Sequence, residues 1–183
     1  MNAYYNPQTI EKIRGTYLVF DTNVLGSYSS DVEFFKTFNE IFKDNIILID
    51  PIVKLEFLRG AFREQTYKEK SRFLEYEKFS TMVDHQEIYK KTYENAFNIA
   101  RIYSHNGKSS IPLGDILIIS RLASYKENCL FITLDKSDFS TLLFDRIAIF
   151  TFERKVKTEV LEHIQLLRFN QSKYRKHLSN LPS

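Results

Sequence analysis

The sequence predicts an α/β domain in which helices surround a central, mostly parallel sheet. Short apolar runs alternate along the chain with longer segments whose apolar residues recur at helical intervals, and this alternation is typical of strands joined by helical crossovers. The chain has 183 residues, of which 43% are hydrophobic, and it carries 16 Phe and 11 Tyr. This size and composition favour one folded domain with a sizeable core over a disordered chain.

The predicted strands are short apolar runs, each followed by a polar residue or a turn. In chain order they are residues 16–21, 46–49, 129–133 and 147–151. The first run, Tyr17-Leu-Val-Phe20, leads into Asp21, and a carboxylate at this place is costly to bury unless another group pairs with it. Asp21 is therefore either an ordinary helix cap or a ligand for a cation.

The predicted helices carry apolar residues three and four positions apart. In chain order they are a short helix at 10–14, then 31–43, 51–60, two long helices within 63–106 that break near 81–85, and 116–125. Asp31 is a suitable N-cap for the second of these helices. Asp50 followed by Pro51 caps and opens the third, which Gly60 ends or interrupts.

The C-terminal segment, residues 153–183, is the most basic part of the chain. It holds seven Lys or Arg residues against three Glu, a net charge of +4, whereas the whole chain has a net charge of +3. We expect this segment to form a helix followed by a frayed tail. The predicted organisation is an N-terminal extension at 1–15, an α/β domain at 16–152 and a basic helical extension at 153–183.

Composition also excludes several classes of protein. The single cysteine, Cys129, cannot form an internal disulfide, and the four His residues, which we interpret as surface residues, lack metal-ligand spacing. The polar start lacks the apolar segment of a signal peptide, and no apolar run is long enough to span a bilayer. We therefore expect a cytoplasmic protein without a membrane partner. The pI near 8.8 is compatible with a polyanionic partner but is weak evidence for one.

Five carboxylates follow a strand, open a helix or interrupt an apolar helix: Asp21, Glu56, Asp115, Asp135 and Asp138. If the strands are parallel, Asp21 and Asp135 emerge at the same edge of the sheet. Asp115 reaches that edge only across a crossover. Acids crowded together raise each other's pKa values, and a hard divalent cation, which prefers oxygen ligands, relieves their repulsion.

Each of these acids also has an ordinary structural explanation. Asp21 and Asp115 suit helix caps, and the two acids after the strand at 129–133 suit a turn. Glu56 could pair with Lys54 or Arg59 on the surface of its helix. A common site is favoured by the order in which all five acids occur along the chain.

That order resembles the PIN-domain nucleases. Four pieces carry the resemblance: Asp21-Thr-Asn-Val-Leu25, Glu56-Phe-Leu-Arg-Gly60, Gly114-Asp-Ile-Leu-Ile-Ile119 and Thr133-Leu-Asp-Lys-Ser-Asp-Phe139. The first piece alone is a weak match, but all four in sequence make a specific one. The resemblance covers residues 16–151 and implies a three-layer α/β/α fold. The chain departs from the small toxin members by its greater length, with the excess in 63–106 and in the C-terminal segment.

The resemblance implies a metal-dependent endoribonuclease that hydrolyses RNA phosphodiester bonds with Mg²⁺ or Mn²⁺. The expected catalytic residues and metal ligands are Asp21, Glu56, Asp115 and Asp135, with Asp138 as a further metal contact. Asn23 and Thr133 are expected to orient carboxylates or the attacking water by hydrogen bonds. No covalent nucleophile is required.

Substrate affinity must come from other residues. The candidate phosphate contacts are basic side chains close in sequence to the acids: Lys54, Arg59, Arg63 and Lys108. For each one, a solvated surface position is at least an equal explanation. RNA bases stack on aromatic rings. Tyr28, Tyr103 and the Tyr- and Phe-rich helices are candidates for that contact, although we expect most of these aromatic residues to belong to the core.

Other functions stay open from the sequence alone. A haloacid dehalogenase-like phosphatase also begins with a strand that ends in Asp, but it needs a second Asp two positions later, where this chain has Asn23. A degenerate PIN fold could act as a binding module. Within the nuclease interpretation, a VapC-type toxin would imply a small antitoxin partner and a homo-oligomer, and RNA maturation or decay is the other setting.

Overall fold

A computed structural model describes residues 1–81, 86–125, 129–135, 137–156 and 158–182, except for the side chains of 154–160. The strands are β1 (Asn2–Tyr4), β2 (Tyr17–Phe20), β3 (Ile46–Ile49), β4 (Phe79–Thr81), β5 (Cys129–Thr133), β6 (Phe144–Val156) and β7 (Thr158–Phe169). The helices are α1 (Pro7–Ile13), α2 (Thr22–Ser30), α3 (Val32–Ile41), α4 (Pro51–Arg59), α5 (Glu64–Phe73), α6 (Gln86–His105), α7 (Leu113–Ser124) and α8 (Gln171–Ser179).

One mixed sheet organises the chain, with the strand order β1-β6-β7-β5-β2-β3-β4. Strands β5, β2, β3 and β4 are parallel to one another, while β1, β6 and β7 join the sheet in antiparallel pairs. The α/β fold with a mostly parallel core is thereby confirmed. Phe20 lies opposite Ile132 in the parallel pair β2–β5, so the residues that follow these two strands leave the sheet at the same edge.

The core is rich in aromatic rings, as the composition indicated. The ring of Phe20 on β2 packs edge-on against Tyr28 of α2, 5.4 Å between centroids, and against Phe38 of α3 at 5.2 Å. Such edge-to-face pairs add stability beyond the burial of their area. Helices α2 and α3 are thus fixed against the strand that leads into Asp21.

The predicted helix caps are confirmed at two places. The side chain of Asp31 accepts hydrogen bonds from the backbone N–H groups of Glu33 and Phe34, both at 2.9 Å. Asp50 accepts from the N–H of Ile52 at 2.8 Å, and Pro51 opens α4. Both caps satisfy amide groups that a helix leaves without partners at its N-terminus.

The C-terminal segment differs from the prediction. Residues 158–169 form strand β7 instead of a helix, and the only described helix of the segment is α8. Val160, Ile164 and Leu167 lie four and three positions apart in the sequence, a spacing that also suits the apolar face of a helix. In the sheet, β7 gains partners on both edges, β5 and β6, and buries Ile164, Leu166 and Leu167, so tertiary pairing outweighs the local pattern.

Three further elements were not predicted: β1, α2 and β4. Strand β1 lies in the predicted N-terminal extension, helix α2 begins directly after Asp21, and strand β4 lies next to the predicted break between the two long helices. The predicted break at 81–85 falls almost wholly outside the described residues. None of the described helices is long and apolar enough to cross a membrane.

Candidate active site

Asp21 occupies the N-cap of α2, at the carboxyl end of β2, and is 5% exposed. One carboxylate oxygen accepts from the N–H of Thr22 at 2.7 Å, and the other accepts from the hydroxyl of Thr133 at 2.5 Å. Burial raises the pKa of Asp21 to about 6, with smaller contributions in the same direction from the charges of Glu56 and Asp135. Asp21 therefore caps a helix and also faces other acids.

Glu56 reaches this edge of the sheet from helix α4. Its Oε2 accepts a hydrogen bond from the hydroxyl of Thr22 at 2.6 Å; no ion pair with Lys54 or Arg59 is found among the described residues. Its Oε1 lies so close to Gly114 of α7 that a Cβ atom there would stand 2.2 Å away. A side chain at position 114 would thus displace the carboxylate.

Asp115 lies in the first turn of α7, and Pro112 holds the N-cap position. The predicted capping explanation for Asp115 is therefore wrong. Burial, the largest cause, and the charges of four other acids together raise the pKa of Asp115 to about 7; the acids are Asp21, Asp138, Glu56 and Asp135. The carboxyl group of Asp115 stands where the fields of all these acids overlap.

Asp135 and Asp138 belong to the loop that follows β5. The Oδ1 of Asp135 accepts from the N–H groups of Ser137 and Asp138, at 2.6 and 2.9 Å, which is the turn-forming bond pattern expected of an Asp after a strand. Asp138 accepts from the hydroxyl of Ser137 at 3.1 Å. One oxygen of Asp135 thus holds the loop, and no described residue bonds its second oxygen.

Thr133 and Asn23 connect the elements that carry the acids. Thr133 is fully buried, donates to Asp21 and accepts from the N–H of Asp135 at 2.9 Å. The side-chain oxygen of Asn23 accepts from the N–H of Leu134 at 3.1 Å. Asn23 therefore anchors backbone at the position where the phosphatase alternative requires an acid.

The cluster is electrostatically unbalanced. No described lysine or arginine forms an ion pair with its five carboxylates. Among the described residues, no three of these acids have the spacing of ligands around one metal ion. The set consists of oxygen donors alone and is buried on one side, which fits a hard cation such as Mg²⁺ or Mn²⁺.

The candidate phosphate contacts lie outside the cluster. Lys54, Arg59 and Arg63 are exposed on or next to α4, and Lys108 donates to the carbonyl of Ser137 at 3.0 Å. Their role in RNA binding stays a prediction.

The proposed base-stacking residues are a different case. Tyr28 and Tyr103 are 1% and 0% exposed, and their hydroxyls donate to Asn39 and to the carbonyl of Asp138. Both rings belong to the core, so the stacking prediction for them is wrong.

Four contacts near the site were not anticipated. Thr22 bonds Glu56, and Gly114 makes room for it. Asp50, which the sequence identified only as a cap, also forms a buried ion pair with Arg121 of α7 and accepts from the hydroxyl of Tyr125 at 2.7 Å. The sequence contained one sign of this ion pair: an arginine inside the apolar helix α7. A buried charge needs a partner.

Comparison with known proteins agrees with this architecture. A family model of the PIN domain matches residues 18–148. The structure is similar to one chain of VapBC2 from Rickettsia felis, crystallised with a DNA fragment from their promoter; the identity is 19% and the TM-score 0.52. The similarity covers 67% of this chain and 90% of that chain. No curated protein matches the sequence.

Proposed function

Because the chain belongs to the PIN domain family, we propose that it is a metal-dependent endoribonuclease that hydrolyses RNA phosphodiester bonds. The observation that carries this proposal is the position of Asp115, a half-buried carboxyl within the field of four other acids from three separate elements. Such a convergence is unfavourable for folding alone, and it suits a site that binds cations.

The proposed metal ligands are the acids named from the sequence: Asp21, Glu56, Asp115 and Asp135, with Asp138 as a further contact. Magnesium or manganese, when bound there, supplies Lewis-acid stabilisation of the phosphate and a more acidic water. Thr133 and Thr22 hold Asp21 and Glu56 by hydrogen bonds of 2.5 and 2.6 Å. Such bonds orient carboxylates toward a common ligand.

The proposed substrate is single-stranded RNA, held through its phosphates. Lys54, Arg59 and Arg63 form an exposed basic group beside Glu56 along the chain, and Lys108 is tied to the loop of Asp135 and Asp138 through Ser137. These charges would attract the backbone of a nucleic acid without choosing its sequence.

A toxin of a toxin–antitoxin pair is the proposed biological setting. The similarity in fold to a chain of the VapBC2 complex supports this setting, and it implies a small antitoxin partner. A homo-oligomer is also proposed, supported by exposed apolar side chains on α6, where Tyr93 is 60% and Phe97 is 73% exposed. Light scattering on the purified chain tests the oligomer, and co-purification with the product of an adjoining gene tests the antitoxin.

The decisive experiment measures cleavage of a labelled single-stranded RNA with Mn²⁺ and with EDTA. Asp21→Asn and Asp115→Asn should each abolish metal-dependent cleavage while the circular dichroism spectrum stays unchanged. Asp44→Asn, at an exposed Asp paired with Arg14, is the matched control and should cleave like the wild type.

Two results would contradict the nuclease proposal. Full cleavage by either site variant would remove these acids from the reaction. If the wild type neither cleaves RNA nor binds Mn²⁺ through its carboxylates in calorimetry, the chain is a binding module instead. Hydrolysis of a small phosphomonoester in place of RNA would revive the phosphatase alternative.

A further inference from the structure

A groove on the β6–β7 hairpin adjoins the acidic cluster and takes no part in the reaction proposed above. Its volume is about 460 Å³, and its lining residues are Arg146, Ile149, Thr151, His163 and Gln165. Small-molecule sites in proteins have volumes of roughly 300–1,000 Å³. The groove is therefore large enough for one nucleotide.

The sheet register places the groove next to the acids. Thr151 pairs with His163 and Ile149 with Gln165, and side chains of such antiparallel partners lie on the same face. Gln165 also pairs with Thr133 of β5, the residue that donates to Asp21. In addition, the Nε2 of Gln165 donates to the carbonyl of Asp135 at 2.6 Å, so the groove and the cluster share the Asp135 peptide.

The polar groups of the groove suit a phosphate. Arg146 is exposed and makes no ion pair or hydrogen bond with any described residue. The Nδ1 of His163 lies 2.9 Å from the hydroxyl of Thr151, which leaves its Nε2 for a ligand. An arginine fork is the side chain best matched to phosphate oxygens.

The groove also has an apolar surface. Ile149 is 44% exposed beside these polar residues, and an exposed apolar side chain can pack against the face of a nucleobase. Gln165 is only 9% exposed and is fixed by its bond to Asp135, so this end of the groove is pre-formed. Phosphate-binding and base-packing groups thus lie side by side.

We propose that this groove binds a nucleotide of the RNA strand beside the one that is cut, with Arg146 on its phosphate and Ile149 against its base. The choice of RNA as the ligand rests on the proposed function, because RNA is the proposed substrate of the adjoining acids. The groove would then position the strand so that the neighbouring phosphodiester lies at the acidic cluster.

The test measures RNA binding apart from cleavage. Fluorescence anisotropy follows a labelled single-stranded RNA of about ten nucleotides with protein that carries Asp115→Asn. In that background, Arg146→Gln should raise Kd about tenfold and reduce the slope of log K against log salt by about 0.7. Ile149→Ser should raise Kd about fivefold without changing that slope.

Each variant has a matched control. Arg175→Gln removes the same charge from an exposed arginine of α8, and Ile46→Ser changes an isoleucine of similar exposure, 42%, at the opposite end of the parallel strands. Both controls should bind RNA like the parent protein. Thermal unfolding of all four variants checks that they are folded.

Equal losses of affinity in variant and control, or no loss at Arg146 and Ile149, would overturn the groove proposal. Such a result would leave the nuclease intact if the wild type still cleaves RNA with Mn²⁺. Conversely, RNA binding that depends on Arg146 and Ile149 in a chain that cleaves nothing would support the groove and refute the nuclease.

Discussion

Gly114 is the residue at which helix α7 comes closest to a carboxylate of the candidate site. A methyl group there would stand 2.2 Å from the Oε1 of Glu56, so the glutamate must swing away and lose its 2.6 Å bond from Thr22. The glutamate is the flexible partner, and alanine favours a helix over glycine by up to about 1 kcal/mol. The cost of Gly114→Ala should therefore fall on catalysis and not on folding.

We expect Gly114→Ala to lower kcat/KM for RNA about a hundredfold, as a small misplacement of a reacting group can, with an unchanged or higher free energy of unfolding. Gly26→Ala is the control, because a Cβ atom at position 26 meets no other atom within 4 Å. If Gly114→Ala cleaves RNA as fast as the wild type does, the reaction does not depend on the position of the Glu56 carboxylate.

Asp21 should make the metal-free protein less stable as pH rises. Its folded-state pKa of about 6 lies above the ordinary value of 3.8, so the folded state binds the proton more tightly than the unfolded state does. By linkage, stability decreases between pH 4 and pH 6, and the loss is complete above that range. Asp21→Asn should thus increase the free energy of unfolding by on the order of 3 kcal/mol at pH 8, and by almost nothing near pH 4.

Urea denaturation at both pH values in EDTA measures this effect. Asp145→Asn supplies a control of opposite sign, because a hydrogen bond from Lys173 lowers the pKa of Asp145; that variant should be less stable at pH 8. A destabilised Asp21→Asn protein at pH 8 would contradict the prediction.

For single residues, the sequence predicted the acids of the candidate site but not the residues that contact them. Asp21, Glu56, Asp115 and Asp135 stand out because each ends or opens an element or lies among apolar residues. The close approach of Glu56 to Gly114, and its bond to Thr22, depend on the distance between α4 and α7. No local pattern encodes that distance.

Helices α4 and α7 carry Glu56 and Asp115, and the buried pair of Asp50 and Arg121 ties these helices together. Asp50 is 1% and Arg121 is 2% exposed. Arg121→Met would leave the carboxylate of Asp50 buried next to an apolar side chain, a change that typically costs about 3–5 kcal/mol. We expect a large fall in the urea midpoint, and partial recovery when Asp50→Asn, which keeps the helix cap, is added.

The exposed pair of Arg14 and Asp44, 2.9 Å apart, provides the comparison. Arg14→Met should cost less than about 1 kcal/mol, since water already solvates both partners. If the two Arg→Met variants lost equal stability, the pair between α4 and α7 would have no special role in holding the site.

Elements with a strong local signal were predicted well, and elements that depend on distant partners were not. The caps at Asp31 and Asp50 act within three residues, so the sequence reveals them. Strand β7 exists because β5 and β6 flank it, and its apolar residues fit a helix nearly as well. The same reason explains why β4, a strand of three residues at the sheet edge, was missed.

The whole molecule has a net charge of +3, yet five acids meet at one edge of its sheet. A cation bound by these acids should stabilise the folded state, because the unfolded chain scatters them. At a Mn²⁺ concentration of about 100 times Kd the gain is about 2.7 kcal/mol, and Tm should rise by about 5–10 °C.

Differential scanning calorimetry with and without Mn²⁺ tests this expectation. Asp21→Asn and Asp115→Asn should show little or no rise in Tm, whereas Asp44→Asn should respond like the wild type. Equal rises in all four proteins would mean that Mn²⁺ binds elsewhere on the surface.

The order of the strands in the sheet differs from their order along the chain, and this difference affects how the chain folds while it is being synthesised. The acids at positions 21–138 leave the ribosome before β7, so the outer edge of β5 stays open until residues 165–167 arrive to cover it. Strand β1 also has to wait for its partner at 151–153, which lies about 150 residues later in the chain. The nascent chain therefore passes through a stage in which the acidic residues are present beside an uncovered strand edge, the kind of surface that chaperones bind and that aggregates form on.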